Sequence, residues 1–399
     1  MKVELLAPAG DLERLKIAFI YGADAVYLGG NLFGLRANAV NFTLEEIKEG
    51  VIFAHKLNKR VYVTVNIILH DKEINLLDDY LKSLSEIGVD AIIISDLAII
   101  PIAKKYNLEI HISTQQSTLN KEAIKFYKKL GVTRVVLARE ASKEEIEENV
   151  KTGMEIEMFI HGAMCASYSG RCVLSNYLTN RDANRGGCSQ ICRWDFDLIG
   201  DNQIIKGDKN FTFCSKDLML LKHMNEIIDM NVTSLKIEGR MRSIYYIATV
   251  ISIYRKVIDE YCNNKENFTY NINYEKILTR CANRDSCVQF FDGNYLQDCN
   301  YYNERVEISN QDFLGLVLDY DEKNQILTLE QRNYFQVKDE VEFMTPTNIG
   351  IPFKIEEMYD IEGNALDVAR HPKQIIKIPC KIKLNKNDMM RVKILGWQK

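Results

Sequence analysis

The chain has 399 residues, of which 46% are hydrophobic and 27% charged, with 21 Gly, 6 Pro and a net charge of −4. That composition excludes a disordered, collagen-like or linker-dominated chain and leaves ample material for a large core. The mild charge excludes a protein that coats nucleic acid by bulk positive charge, so any such binding must use a local patch.

The N-terminus, Met1-Lys-Val-Glu-Leu-Leu-Ala-Pro8, carries charges inside its first apolar run. It does not read as a signal peptide, and no run reaches the roughly 18 apolar residues of a membrane span. A cytoplasmic protein without membrane contact is expected. Three segments repeat one phrase: Gly22-Ala-Asp-Ala-Val-Tyr-Leu-Gly29, Gly88-Val-Asp-Ala-Ile-Ile-Ile-Ser95 and Gly131-Val-Thr-Arg-Val-Val-Leu-Ala138. A looser copy is Asn231-Val-Thr-Ser-Leu-Lys-Ile-Glu-Gly239. A turn residue followed by a β-branched run is how a helix end leading into a buried parallel strand reads.

Eight such strands are predicted, near 3–7, 25–29, 61–66, 91–95, 109–113, 134–138, 156–160 and 234–238. Helical patterns separate them, near 11–21, 44–57, 74–87, 98–106, 121–130, 142–152 and 216–230, and another covers 243–262. Asp11, Thr43 and Ser142 are candidate N-caps. Eight strand–helix units predict an α/β fold, a (β/α)8 TIM-like barrel over 1–262, with a doubly wound open sheet as the rival. Strands seven and eight are far apart, so about 161–215 reads as an insertion after a strand's C-terminal end, the face that carries the active site in barrels. Residues 263–304, rich in Asn and Tyr, read as a linker or helical extension. From 305 to 399, short alternating runs separated by Gly and Asn turns predict a small all-β, barrel-like domain.

The chain has 10 Cys. Cytoplasmic thiols stay reduced, so clustered ones read as metal or catalytic groups rather than disulfides. Cys165, Cys172, Cys188 and Cys192 fall together in the insertion, spaced C-x6-C-x15-C-x3-C. Four thiolates suit a tetrahedral zinc or an iron–sulfur cluster, and the spacing departs from the paired knuckles usual for zinc. Cys214 competes with Cys192 as the fourth ligand.

The segment Glu157-Met-Phe-Ile-His-Gly-Ala-Met-Cys165-Ala-Ser-Tyr-Ser-Gly-Arg-Cys172-Val-Leu-Ser175 resembles the signature of the collagenase-like peptidases, the family called U-thirty-two. Asn184-Arg-Gly-Gly-Cys188-Ser-Gln-Ile-Cys192-Arg-Trp194, Ser215-Lys-Asp-Leu218, Ser234-Leu-Lys-Ile-Glu-Gly-Arg240, Leu6-Ala-Pro-Ala-Gly10 and Arg370-His-Pro-Lys-Gln374 extend the resemblance over nearly the whole chain. Within the family it is most similar to members that support 5-hydroxyuridine formation at the wobble position of tRNA. The resemblance implies a prephenate-dependent, oxygen-independent hydroxylation, a 4Fe-4S cluster on Cys165, Cys172, Cys188 and Cys192, and tRNA as partner through its anticodon loop. Ribosomal RNA, collagenase-like proteolysis, or the role of a non-catalytic cluster-bearing subunit are its alternatives. A homo-oligomer or a paralogous partner subunit also fits the resemblance.

The residues themselves test the peptidase reading. Neither His-Glu-x-x-His nor Gly-x-Ser-x-Gly occurs. His161, four residues before Cys165, could form a Cys–His dyad only by taking that thiol from the cluster. Lys236, Glu238 and Arg240 share one side of strand eight, a placement for catalytic groups or for holding a dicarboxylate such as prephenate. Arg171, Arg181, Arg185, Arg193 and Arg242, interleaved with Tyr168, Tyr177 and Trp194, suit phosphate contacts and base stacking on single-stranded RNA. His111, Ser113 and Gln115 at the end of strand five, and Arg36 and Asn38 after strand two, are weaker substrate-contact candidates.

Overall fold

The computed structural model describes residues 3–35, 41–201, 203–205, 211–293, 297–303 and 311–394. Arg36 and Asn38 lie outside the described residues.

Eight parallel strands form the first layer: β1 (Glu4–Pro8), β2 (Ala25–Gly29), β3 (Arg60–Val65), β4 (Ala91–Ile94), β5 (Ile110–Ile112), β6 (Arg134–Val136), β7 (Glu155–Gly162) and β8 (Ser234–Ile237). They pair in sequence order, and β8 pairs in parallel with both β7 and β1, Leu235 facing Met158 on one side and Leu5 on the other. The sheet therefore closes as a barrel, and the open doubly wound alternative is excluded.

Helices α1 (Leu12–Ile20), α2 (Leu44–Lys56), α3 (Asp71–Ile87), α4 (Ile99–Lys105), α5 (Lys121–Lys129) and α6 (Lys143–Val150) fill the crossovers. Asp11, Thr43 and Ser142 accept the backbone N–H three residues on, and the last two complete capping boxes with Glu46 and Glu145. These caps satisfy N–H groups that the first helical turn leaves without partners.

Past β7 the chain makes α7 (Leu174–Thr179) and several short turns before it reaches α8 (Met224–Asp229). The helix predicted over 216–230 forms only in its last part. Asp217–Met219 is instead extended and runs antiparallel to the end of β7, Leu218 facing Gly162. The local pattern of Leu218, Leu221 and Met224 fits a helix, but strand pairing and a buried ion pair of Asp217 with Arg284, 2.7 Å, hold the first part extended.

The barrel's last helix is α9 (Ile244–Asn263), buried along most of its length and packed on α1, α8 and α10 (Ile272–Cys281). The segment read as a linker then returns to the barrel mouth. Ser286–Cys287 pairs in parallel with Asp217–Leu218, and Asn300–Asn303 pairs antiparallel to Phe211–Ser215.

The C-terminal region is an antiparallel sheet of β9 (Phe313–Asp321), β10 (Ile326–Gln331), β11 (Glu340–Met344), β12 (Ile351–Lys354), β13 (Ile375–Pro379) and β14 (Met389–Val392), in the order β12-β11-β14-β9-β10-β13. The order is open among the described residues, where the sequence predicted a barrel-like domain. Leu314, Val317, Leu329, Phe335, Phe343 and Ile376 belong to its own core. It also packs on the barrel: the Tyr21 hydroxyl donates to the Asn387 carbonyl, 2.9 Å, and Tyr245 stacks on Phe313.

Candidate functional site

The barrel interior divides into two halves. On the β1–β4 side, Leu6, Ala25, Tyr27, Tyr62, Ala91 and Ile93 form a compact cluster. On the β5–β8 side the strands contribute His111, Arg134, Glu157 and Lys236, all buried. Buried charges need partners. Glu157 accepts from Lys236 at 2.7 Å and from Arg134 at 3.3 Å, and Arg134 continues to Glu4 at 2.6 Å. Burial alone would raise the Glu157 carboxyl, but the charges of Lys236 and Arg134 outweigh it and hold it below its ordinary value. Lys236 stands 4.3 Å above the Tyr27 ring, so the ammonium is held by a carboxylate and an aromatic face together.

Above this floor, at the C-terminal ends of the strands, a cavity of about 490 Å³ opens. Lys236, Glu238, Arg240, Gln115, Tyr168 and Arg171 line it, as do Cys165, Cys172, Cys188 and Cys192. The four clustered thiols therefore share one cavity with the charged end of β8. Among the described residues, no three His, Cys, Asp or Glu side chains converge on a point that could take a single metal ion. Burial and the neighbouring thiols of Cys165, Cys188 and Cys214 push the Cys192 thiol up to about 11 against the pull of Arg193. Thiolates gathered in one place repel and call for cationic charge between them.

Cys214, the competing ligand, is buried and does not line the cavity; its neighbour Phe213 does. Strand alternation in Phe211–Ser215 puts the ring toward the cavity and the thiol behind it.

His161 is outside the cavity. It is buried and packs between Tyr246 and Tyr254, with Nδ1 3.3 Å from the Tyr254 hydroxyl. A register shift explains this: Lys236 faces Phe159, but Ile237 faces His161. The extra residue in β7 reverses the alternation, so Phe159 reaches the cavity and His161 turns toward α9. Burial first, then the charge of Arg242, pushes the His161 pKa down to about 3. The ring stays neutral, with no thiol of the cavity to activate, and no histidine lines the cavity among the described residues.

Four of the arginines read as RNA contacts are placed differently. Arg185 is tied to Glu73, 2.9 Å, at the first turn of α3, and so anchors the insertion to the barrel. Arg193 and Trp194 line a separate shallow recess with Ser189, Gln190 and Asp195, beyond the cavity. Arg181 is exposed and does not line the cavity. Arg242 donates to Asp217 at 3.3 Å. The cavity rim does carry exposed aromatic side chains, Tyr168 and Phe213, while Tyr177 is exposed on α7.

Several lining residues were not singled out from sequence. Arg139 lies 3.8 Å over the Phe159 ring and donates to the Ser169 hydroxyl, 2.7 Å. The Ser117 hydroxyl donates to the Ser169 carbonyl, 2.7 Å. These two bonds fasten the turn between Cys165 and Cys172 to the loops after β5 and β6. Gly170 completes the contact; its φ is +79° and a Cβ there would overlap the Gln115 carbonyl oxygen. Asn66 and Thr64 from β3 and its following loop also face the cavity. Polar residues at strand ends were the available signal, and it is spread over four strands.

A closed parallel (β/α)8 barrel with a cysteine-ringed, cation-bearing cavity at the C-terminal ends of its strands places the chain among barrel proteins whose site is built from an insertion after β7. The profile of Peptidase family U32 matches residues 10–300, and that of the Peptidase family U32 C-terminal domain matches residues 309–391. The chain belongs to this family. It is 51% identical over 399 residues to "tRNA hydroxylation protein P1" of Bacillus subtilis, covering 98% of this chain and 94% of that one. It is 34% identical over 419 residues to "tRNA hydroxylation protein P" of Escherichia coli, covering 92% and 91%. It is also 31% identical over 409 residues to "Collagenase" of Porphyromonas gingivalis, covering 97% of each. No helix among the described residues is long and apolar enough to cross a membrane.

Proposed function

We propose that this chain is a tRNA-modifying enzyme that hydroxylates the wobble uridine to 5-hydroxyuridine, with a 4Fe-4S cluster on Cys165, Cys172, Cys188 and Cys192 and prephenate as co-substrate. The observation that carries the reading is the shared cavity: four thiols ring the space that Lys236, Glu238 and Arg240 also line. A zinc ion would need four sulfurs about 2.3 Å from one point, whereas a cluster takes its thiolates at separate iron corners. The four thiols line one cavity, yet among the described residues no three of them converge on a single point, which favours the cluster. When bound, the cluster supplies electron transfer or Lewis acidity.

The chain's own groups then have separate tasks. Lys236, Arg240 and Arg139 present positive charge to the carboxylates of a small acid, and the Tyr27 and Phe159 rings give it an apolar bed. Tyr168 and Phe213 at the rim offer faces on which an unstacked base can lie, and exposed Arg171 reaches the RNA backbone. Glu238 faces the same space and is the carboxylate placed to accept a proton from the substrate. Arg193 and Trp194 lie outside the cavity and contact the flanking RNA, with exposed Arg181 alongside.

The names borne by the Bacillus subtilis and Escherichia coli relatives support this reading over proteolysis. So does the position of His161, which turns away from the cavity, so that among the described residues no histidine lines it beside the thiols. The test is nucleoside mass spectrometry of tRNA from a strain that lacks wobble-uridine hydroxylation and expresses this chain. Return of 5-hydroxyuridine derivatives, and their absence with Cys172→Ser, is the expected result. A soluble, brown, cluster-loaded protein that restores none of them would overturn the proposal.

A further inference from the structure

Two cysteines that do not line the cavity meet beside the segment that pairs with the end of β7. Cys287 and Cys299 bring their sulfurs to 2.9 Å, with the Cys287 thiol donating to Cys299 Sγ. That separation lies between a bonded pair, about 2.0 Å, and ordinary contact. The approach is enforced by backbone. Ser286–Cys287 pairs in parallel with Asp217–Leu218, while the Cys299 carbonyl accepts from Lys216 N–H at 2.9 Å. The Gln289 side-chain amide also donates to the Lys216 carbonyl, 2.7 Å. One stretch, Lys216–Leu218, thus grips both arms of the loop and holds the thiols face to face. Cys287 is half-buried, and Cys299 is 1% exposed.

We propose that Cys287 and Cys299 are a redox-active dithiol, closed to a disulfide by exchange with a low-molecular-weight disulfide. Cys287, the more accessible, attacks one sulfur of the small disulfide as its thiolate and releases one small thiol. Cys299 then attacks Cys287 Sγ in the mixed disulfide and releases the second. The two protein thiols lose two electrons and two protons; the small disulfide gains them and leaves as two thiols. Because the thiols are held together before reaction, the second step outruns capture of another small molecule. Closure staples the loop to Lys216–Leu218, the segment that pairs with the end of β7 just before Cys165. The bond therefore stiffens this segment without consuming a thiol of the cavity.

The sequence gives a direct assay, since the tryptic peptide Asp285–Arg305 carries these two cysteines and no other. The full-length protein is incubated with oxidised glutathione, alkylated with N-ethylmaleimide, digested and weighed. Exposed Cys262 serves as the control that the oxidant reached the protein. The expected product is this peptide lighter by two hydrogen atoms, unlabelled, and returned to a doubly alkylated form by prior dithiothreitol. In Cys299→Ser, Cys287 keeps one glutathione, and the upward shift in thermal midpoint that oxidation gives the parent protein disappears. A doubly alkylated peptide beside glutathionylated Cys262 would overturn the proposal, as would a parent peptide with glutathione on one cysteine and maleimide on the other.

Discussion

Lys236 Nζ and Glu157 Oε1 lie 2.7 Å apart inside the barrel, with side chains 5% and 0% exposed. The cation at the floor of the cavity is thus held by a carboxylate that solvent does not reach. The same carboxylate holds Arg134, so Glu157 serves two cations and each cation depends on it to a different degree: Arg134 also has Glu4 and Glu155.

This asymmetry orders the cost of substitutions. Glu157→Gln leaves Lys236 with no carboxylate partner among the described residues and removes one of Arg134's three there. A loss of about 3–5 kcal/mol is expected, the range for breaking a buried pair from one side. Lys236→Met leaves Glu157 with Arg134 and replaces the ammonium by an apolar chain against Tyr27 and Phe159, so it should cost less. Urea denaturation of the two variants measures both. Equal losses would show that the network is not centred on Glu157.

His161 makes a pH prediction of known sign. Its pKa is pushed down to about 3 by burial and by Arg242, against about 6.5 in an unfolded chain. Between those values the unfolded state binds the proton and the folded state does not. The stability that neutral His161 contributes is therefore complete above pH about 6.5 and declines as pH falls toward about 3. His161→Phe should flatten that part of the stability profile, measured as urea midpoints at stepped pH, and should leave tRNA hydroxylation intact. A profile as steep as the parent's would show that another group titrates there.

The same residue shows where sequence reading stops. Half of the barrel strands were legible because they repeat a β-branched run after a turn residue, and three of those runs follow glycines with positive φ at Gly22, Gly88 and Gly131. The thiol group was legible because four cysteines crowd one insertion. The side to which His161 turns was not, since strand parity is readable only while no residue is inserted, and β7 carries a bulge just after Phe159. Arg139 and Arg284 were not legible for a different reason. They reach the site region from the loop after β6 and from the segment after α10, and only the closed fold brings those segments together.

Gly170 tests how the cavity loop is seated. Alanine there must overlap the Gln115 carbonyl oxygen or leave a φ of +79°, which L side chains avoid at roughly 1–2 kcal/mol. The turn should lift from Arg139 and Ser117 while the barrel core keeps its packing. Limited proteolysis should cut Gly170→Ala within 165–172 at least several-fold faster than the parent, with little change in the urea midpoint of the barrel. Equal cleavage rates would mean that the close contact with Gln115 does not hold the loop.

The four cavity thiols and Cys214 give the sharpest separation. Cys192 is half-buried, lines the cavity and is raised to about 11 by burial and its neighbouring thiols; Cys214 sits behind Phe213. If the cavity wall holds the cluster, Cys192→Ser should lose most of the bound iron and the visible absorbance of anaerobically reconstituted protein, as should Cys165→Ser, Cys172→Ser and Cys188→Ser. Cys214→Ser should retain both, because its sulfur donates weakly to the Ser215 carbonyl at 3.6 Å and serine can replace that bond. Circular dichroism of each variant separates cluster loss from unfolding. Iron loss in folded Cys214→Ser, with iron kept in folded Cys192→Ser, would move the fourth ligand from the cavity wall to the strand behind it. Zinc in place of iron, colourless and bound at one equivalent, would replace the cluster while leaving the thiol assignment to be read from the same five variants.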